Sequence, residues 1–144
     1  QLSVFQGGCT TEAAEAVLDV GGTPPAEAVR SLIHKSLVRR VGDDRTQLLM
    51  SVQAYAAKKL GADRARLEER HGRYYARFGT DEALESLHSD NLVEAGRRAA
   101  VRQDGEVASG AALGAWAVLA GRGPFMVGAA LLEAAAEHAG RRRR

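Results

Sequence analysis

Cys9 is the only cysteine in 144 residues, so no disulfide can form within the chain. A free cysteine usually packs as a small apolar side chain, and Cys9 reads that way rather than as a nucleophile. The four histidines, His34, His71, His88 and His138, show no i,i+4 pairing. They also lack cysteine or carboxylate companions at metal-ligand spacing, which argues against zinc. No GxxxxGK[ST] phosphate loop is present: Gly7-Gly8 and Gly21-Gly22 lack both the preceding strand and the following lysine. Nothing marks a reactive serine. No apolar run is long enough to span a bilayer and no signal peptide stands at the start, so a cytoplasmic location is expected. No catalytic, cofactor-binding or metal-binding residue is expected.

Net charge is also in short supply. The formal net charge is +2, and Arg141 to Arg144 account for it. Without them the chain is slightly acidic, so the high isoelectric point describes the tail and not a basic face. Such an end is expected to be disordered.

What the chain has is alanine and helical periodicity. Apolar residues make up 45% and aromatics only 5%, a composition suited to closely packed helices. Gly7-Gly8 breaks the first segment, and Thr10 or Thr11 then caps a helix whose apolar face is Ala13, Ala14, Val17 and Leu18. Thr23-Pro24-Pro25 opens a second helix with Val29, Leu32 and Ile33 inward. Ser36 to Val41 and Gln47 to Met50 read as two strands joined by the polar turn Gly42-Asp43-Asp44-Arg45. Ser51 is expected to cap a helix to Leu60, with Val52, Tyr55 and Ala56 inward. Asp63 caps another, carrying Leu67, His71, Tyr74, Tyr75 and Phe78. A long helix follows from about Asp81 to Arg102, with Leu84, Leu87, Leu92, Ala95 and Ala99 on its apolar side. Two more span Val107 to Ala120 and Pro124 to about Ala139. Tyr74, Tyr75 and Trp116 are expected to pack in a core rather than to stack bases.

Two stretches carry a family likeness: Leu2-Ser3-Val4-Phe5-Gln6-Gly7-Gly8-Cys9-Thr10-Thr11-Glu12-Ala13-Ala14-Glu15-Ala16-Val17 and Leu32-Ile33-His34-Lys35-Ser36-Leu37-Val38-Arg39-Arg40. They resemble the winged-helix module that follows the nucleotide-binding core of bacterial STAND-type signal-transduction ATPases. Ser89-Asp90-Asn91-Leu92-Val93-Glu94-Ala95 resembles the helix that precedes the repeats in such regulators. Gly123, Gly128, Leu132 and Ala135 resemble the turn and second helix of a tetratricopeptide (TPR) repeat. In such a repeat a small residue at Gly128 lets two helices approach, and Leu132 and Ala135 pack toward the next unit.

The resemblance implies a mainly α fold: a winged helix with a two-stranded β-wing over 1–62, its first helix truncated, then an antiparallel helical TPR-like segment with a basic tail over 63–144. It implies a regulatory, protein-interaction segment of a multidomain signalling protein, a transcription regulator by family, cut from a longer chain. No cofactor is expected here, and ATP or ADP belongs to the parent's upstream domain. The partners implied are that domain and downstream repeats. Leu2, Val4 and Phe5 are the expected docking surface, and the isolated fragment is expected to hide them by self-association or by rearrangement of its end. Trp116 joins Gly123, Gly128, Leu132 and Ala135 as repeat-packing residues. The nucleotide-facing junction of the family aligns with Leu48, Leu49 and Met50, none of which offers a strong hydrogen bond, so they are expected to pack beneath the wing.

The alternative is direct DNA contact. Arg30, Lys35, Arg39, Arg40 and Arg45 are the candidate contacts to phosphate or to an acidic partner. Residues 1–62 carry 7 basic against 6 acidic side chains, a weak footprint for a module whose affinity comes from phosphate neutralisation.

Overall fold

The chain leaves a 3-10 turn, Leu2–Val4, through Gly7 and Gly8, both at positive φ. Gly8 is required there: a Cβ would collide with the carbonyl oxygen of Thr46. The computed structural model describes residues 1–79 and 88–141. The expected helical start from Asp81, with Leu84 and Leu87, and the basic tail at 142–144 lie outside the described residues. The described residues are mainly helical with one small sheet, and they divide into two units, 1–70 and 71–144. The division falls inside a helix, past the turn at Gly61-Ala62.

In the first unit, β1 (Cys9–Thr10) runs directly into α1 (Thr11–Val17). The Thr10 hydroxyl accepts from the Ala13 amide at 3.1 Å, satisfying one of the amides a helix start leaves unpaired. Ala13, Ala14, Val17 and Leu18 are all buried, as their spacing requires. α2 (Pro25–His34) starts on a proline at its first position. β2 (Val38–Val41) and β3 (Arg45–Leu48) pair antiparallel, with Val38 opposite Leu48 and Val41 opposite Arg45. The expected sheet had two strands. A third exists because β1 pairs antiparallel with the outer side of β3, giving the order β1-β3-β2.

α3 (Met50–Lys59) follows. Leu49, not Ser51, stands at its N-cap, without a side-chain bond. α4 (Asp63–Ala76) begins in this unit. Arg66 reaches Asp19 at 2.6 Å, and Arg70 donates to the carbonyl oxygens of Ala16 (2.9 Å) and Leu18 (3.3 Å). Hydrogen bonding and charge from Arg66 hold the Asp19 carboxyl below its ordinary range.

In the second unit, the last turns of α4 bring His71, Tyr74 and Tyr75 into the interior. α5 (Ser89–Val101), α6 (Gly105–Arg122) and α7 (Phe125–Arg141) pack on one another. The contacts are made by small residues: Ala95, Ala99, Ala108, Ala111, Ala112 and Ala115 are buried. Asp104 caps α6 by accepting from the Val107 amide at 3.3 Å. A Cβ on Gly110 would stand 2.6 Å from the Ala76 carbonyl oxygen, so α6 passes α4 at backbone distance there.

Candidate functional site

The five candidate cationic residues do not assemble into one face. Successive residues of a strand point to opposite sides, and β2 carries Arg39 and Arg40 in succession. Arg39 bonds Gln47 at 2.9 Å and lines a cleft with Gly7, Gly8, Met50 and Gln53. Arg40 lines a different cleft, of about 210 Å³, with Arg30, Arg45, Asp43 and Asp44 between α1, α2 and the hairpin. Lys35, just after α2, is exposed and lines neither.

Arg45 corrects the sequence expectation most clearly. It is 6% exposed. Its Nη2 donates to the Gly7 carbonyl oxygen at 2.7 Å and reaches that of Gly8 at 3.4 Å. Arg45 thus holds the Gly7-Gly8 turn and cannot meet the phosphates of a duplex.

The expected docking residues are hidden. Leu2, Val4 and Phe5 are 9%, 1% and 2% exposed, so no bare patch remains for them to offer. Their turn packs against α3, and the Gln53 side-chain amide donates to the carbonyl oxygens of Ser3 (2.9 Å) and Phe5 (2.8 Å). A polar tie between two main-chain acceptors and one glutamine leaves no trace in apolar periodicity.

The exposed apolar surface of this unit lies elsewhere. No residue of α3 is buried. Met50 is 89% and Tyr55 64% exposed, against the expectation that Met50 packs beneath the hairpin and Tyr55 faces inward. Leu37, Val52, Tyr55, Ala56 and Leu60 line an open groove of about 570 Å³, with Lys59 and Asp63 at its edge. The sequence does hold a signal for this surface. Apolar residues of α3 are spread around the helix rather than gathered on one side, so no single face can bury them all.

The second unit carries a comparable groove. Val101 and Met126 are 85% and 79% exposed, and with Ala100, Val127, Ala130 and Leu131 they line about 560 Å³ between α5 and α7. The repeat-like residues lie beside it in part. A Cβ on Gly128 would sit 2.9 Å from Trp116 Cε3, so the close approach of α6 and α7 at that glycine is real. Gly123 ends α6 at φ 71°. Ala135 is buried and Leu132 half-buried, the neighbouring Leu131 taking the inward position instead.

Among the described residues no group of three or more His, Cys, Asp or Glu side chains could hold a metal ion, and no helix is long and apolar enough to cross a membrane. Burial pushes the Cys9 thiol up to about 11, which leaves it protonated at neutral pH. Comparison with protein-family models, with curated proteins and with solved structures finds no match to this chain.

Proposed function

We propose that this chain is a regulatory interaction segment of a STAND-type signalling protein: a winged helix followed by a TPR-like helical segment. In this reading its apolar grooves are packed by other domains of the same cytoplasmic protein. The observation that carries it is α3, a ten-residue helix with no buried residue and an apolar groove along it. Contiguous apolar surface of this kind marks interaction sites in soluble proteins. The element order supports the winged-helix part: strand, two helices, then a hairpin whose second strand lies between the first strand and its own partner. Its resemblance to the family in sequence supports the rest. The α5/α7 groove is the face on which a following repeat would stack. In this reading the segment performs no chemistry. It moves between two docked arrangements that differ by only a few kcal/mol, biased by ATP or ADP in an upstream domain.

The test is hydrogen exchange on the full-length parent with ATP and with ADP. Amide protection across 50–60 is expected to differ between the two states, and Met50→Glu with Tyr55→Arg to remove the difference. Equal and low protection in both states would defeat the reading.

Direct DNA binding is the weaker reading, because Arg45 is buried and Arg39 and Arg40 line different clefts. Tight, steeply salt-dependent binding of duplex DNA in fluorescence anisotropy, lost on Arg39→Ala/Arg40→Ala, would restore it.

A further inference from the structure

A guanidinium cannot shed its proton to escape burial, as a lysine or histidine can. Arg45 is 6% exposed, and among the described residues no carboxylate lies within ion-pair distance of it. Two main-chain carbonyls take Nη2, while Nη1 has no hydrogen-bond partner. Burying a charge without an opposite charge or a full set of hydrogen bonds is costly. Two more arginines, Arg30 and Arg40, line the cleft that Arg45 lines. Two carboxylates line it as well, Asp43 and Asp44. Asp44 is turned to Thr11, accepting its hydroxyl at 2.9 Å. Three arginines and two aspartates therefore line the cleft, beside Ala14, Ala26, Val29 and Ile33.

Size narrows the ligand. The cleft holds about 210 Å³, below the ~300 Å³ at which sites for drug-sized ligands begin and several times the ~30 Å³ share of one water. A tetrahedral or planar oxyanion fits within that volume.

We propose that the cleft between α1, α2 and the β2–β3 hairpin binds a small oxyanion, either inorganic phosphate or the carboxylate of a small acid. Arg30 and Arg40 attract it at the surface, and its charge offsets the buried Arg45 charge, which among the described residues has no carboxylate at ion-pair distance. Its capture locks the hairpin against α1 and α2. This site is independent of the α3 groove and of the regulatory reading above.

The test uses the whole chain. Thermal unfolding and titration calorimetry are run with sodium phosphate and with sodium acetate, each against sodium chloride at equal ionic strength. Saturable binding with a raised unfolding midpoint is expected. Arg30→Gln/Arg40→Gln, which alters exposed side chains and spares the fold, is expected to weaken binding at least about tenfold, as loss of charge-assisted contacts does. Tighter phosphate binding assigns a phosphate ligand, and tighter acetate binding a carboxylate. An effect no larger than that of chloride, or one that persists undiminished in the double variant, overturns the proposal.

Discussion

His71 Nε2 lies 3.0 Å from Asn91 Oδ1, with both side chains fully buried. An amide oxygen only accepts, so Nε2 carries the proton. Burial pushes the imidazole down from 6.5 to about 4; the bond to Asn91 raises it, and the charges of Arg98 and Arg102 lower it further. Above pH 6.5 the ring is neutral whether the chain is folded or not, and it contributes no pH dependence. As pH falls from 6.5 toward 4, the unfolded chain takes up a proton that the folded chain refuses. Stability therefore drops through that window, by roughly 3 kcal/mol at pH 4. Urea unfolding at pH 7 and pH 4.5 is expected to show the loss, and His71→Gln to flatten it. An imidazole that titrates near 6.5 by NMR in the folded chain would refute this.

Gly110 and Gly128 both permit close helix approach, but their neighbours differ in freedom. An alanine at 110 meets the carbonyl oxygen and Cβ of Ala76, which are fixed by a helix. An alanine at 128 meets the ring of Trp116, which is 37% exposed and has room to turn. Overpacking costs about 1–3 kcal/mol. Gly110→Ala is expected near the top of that range and Gly128→Ala near the bottom, the latter with a change in tryptophan fluorescence. Equal unfolding midpoints for the two variants would contradict the ranking.

Gly8→Ala is expected to loosen the first unit. The residue sits at φ 89°, and the added carbon strikes the Thr46 carbonyl oxygen, beside the pairing of Cys9 with Thr46. The backbone conformation alone costs about 1–3 kcal/mol for a non-glycine residue. Amide exchange at Cys9 and Thr46 is the readout, and it is expected to accelerate while the α5–α7 helices keep their protection.

Cys9 is 1% exposed with its thiol raised to about 11. A thiol reagent at pH 8 is expected to modify it only when the chain opens, at a rate that rises sharply in denaturant. Rapid native-state labelling would show the strand β1 to be loosely held.

Local chemistry carried most of the fold into the sequence. The glycine pair, the threonine cap and the double proline each act over a few residues and lie where expected, while the return strand of the hairpin begins two residues early, at Arg45, and Met50 belongs to α3. Leu67, His71, Tyr74 and Tyr75 likewise reach the interior at helical intervals. What escaped was non-local. β1 is two residues long, too short to show a period, and exists through its pairing with β3. Arg45 and Gln53 look like surface side chains until the carbonyls of residues 3 to 8 are placed beside them. The spread of apolar residues around α3 says that some of them stay exposed, but not that Tyr55 is one of them. Of the candidate site, the arginines were legible as residue types, but not their division between two clefts.

Ten residues are too few for a helix to persist in water on its own account, and α3 is held by the turn at Leu2–Val4 and the Gln53 tether. Its order therefore depends on what it packs against. A body laid along it would be felt as the tightening of a loosely wound spring, so contact there translates directly into local order.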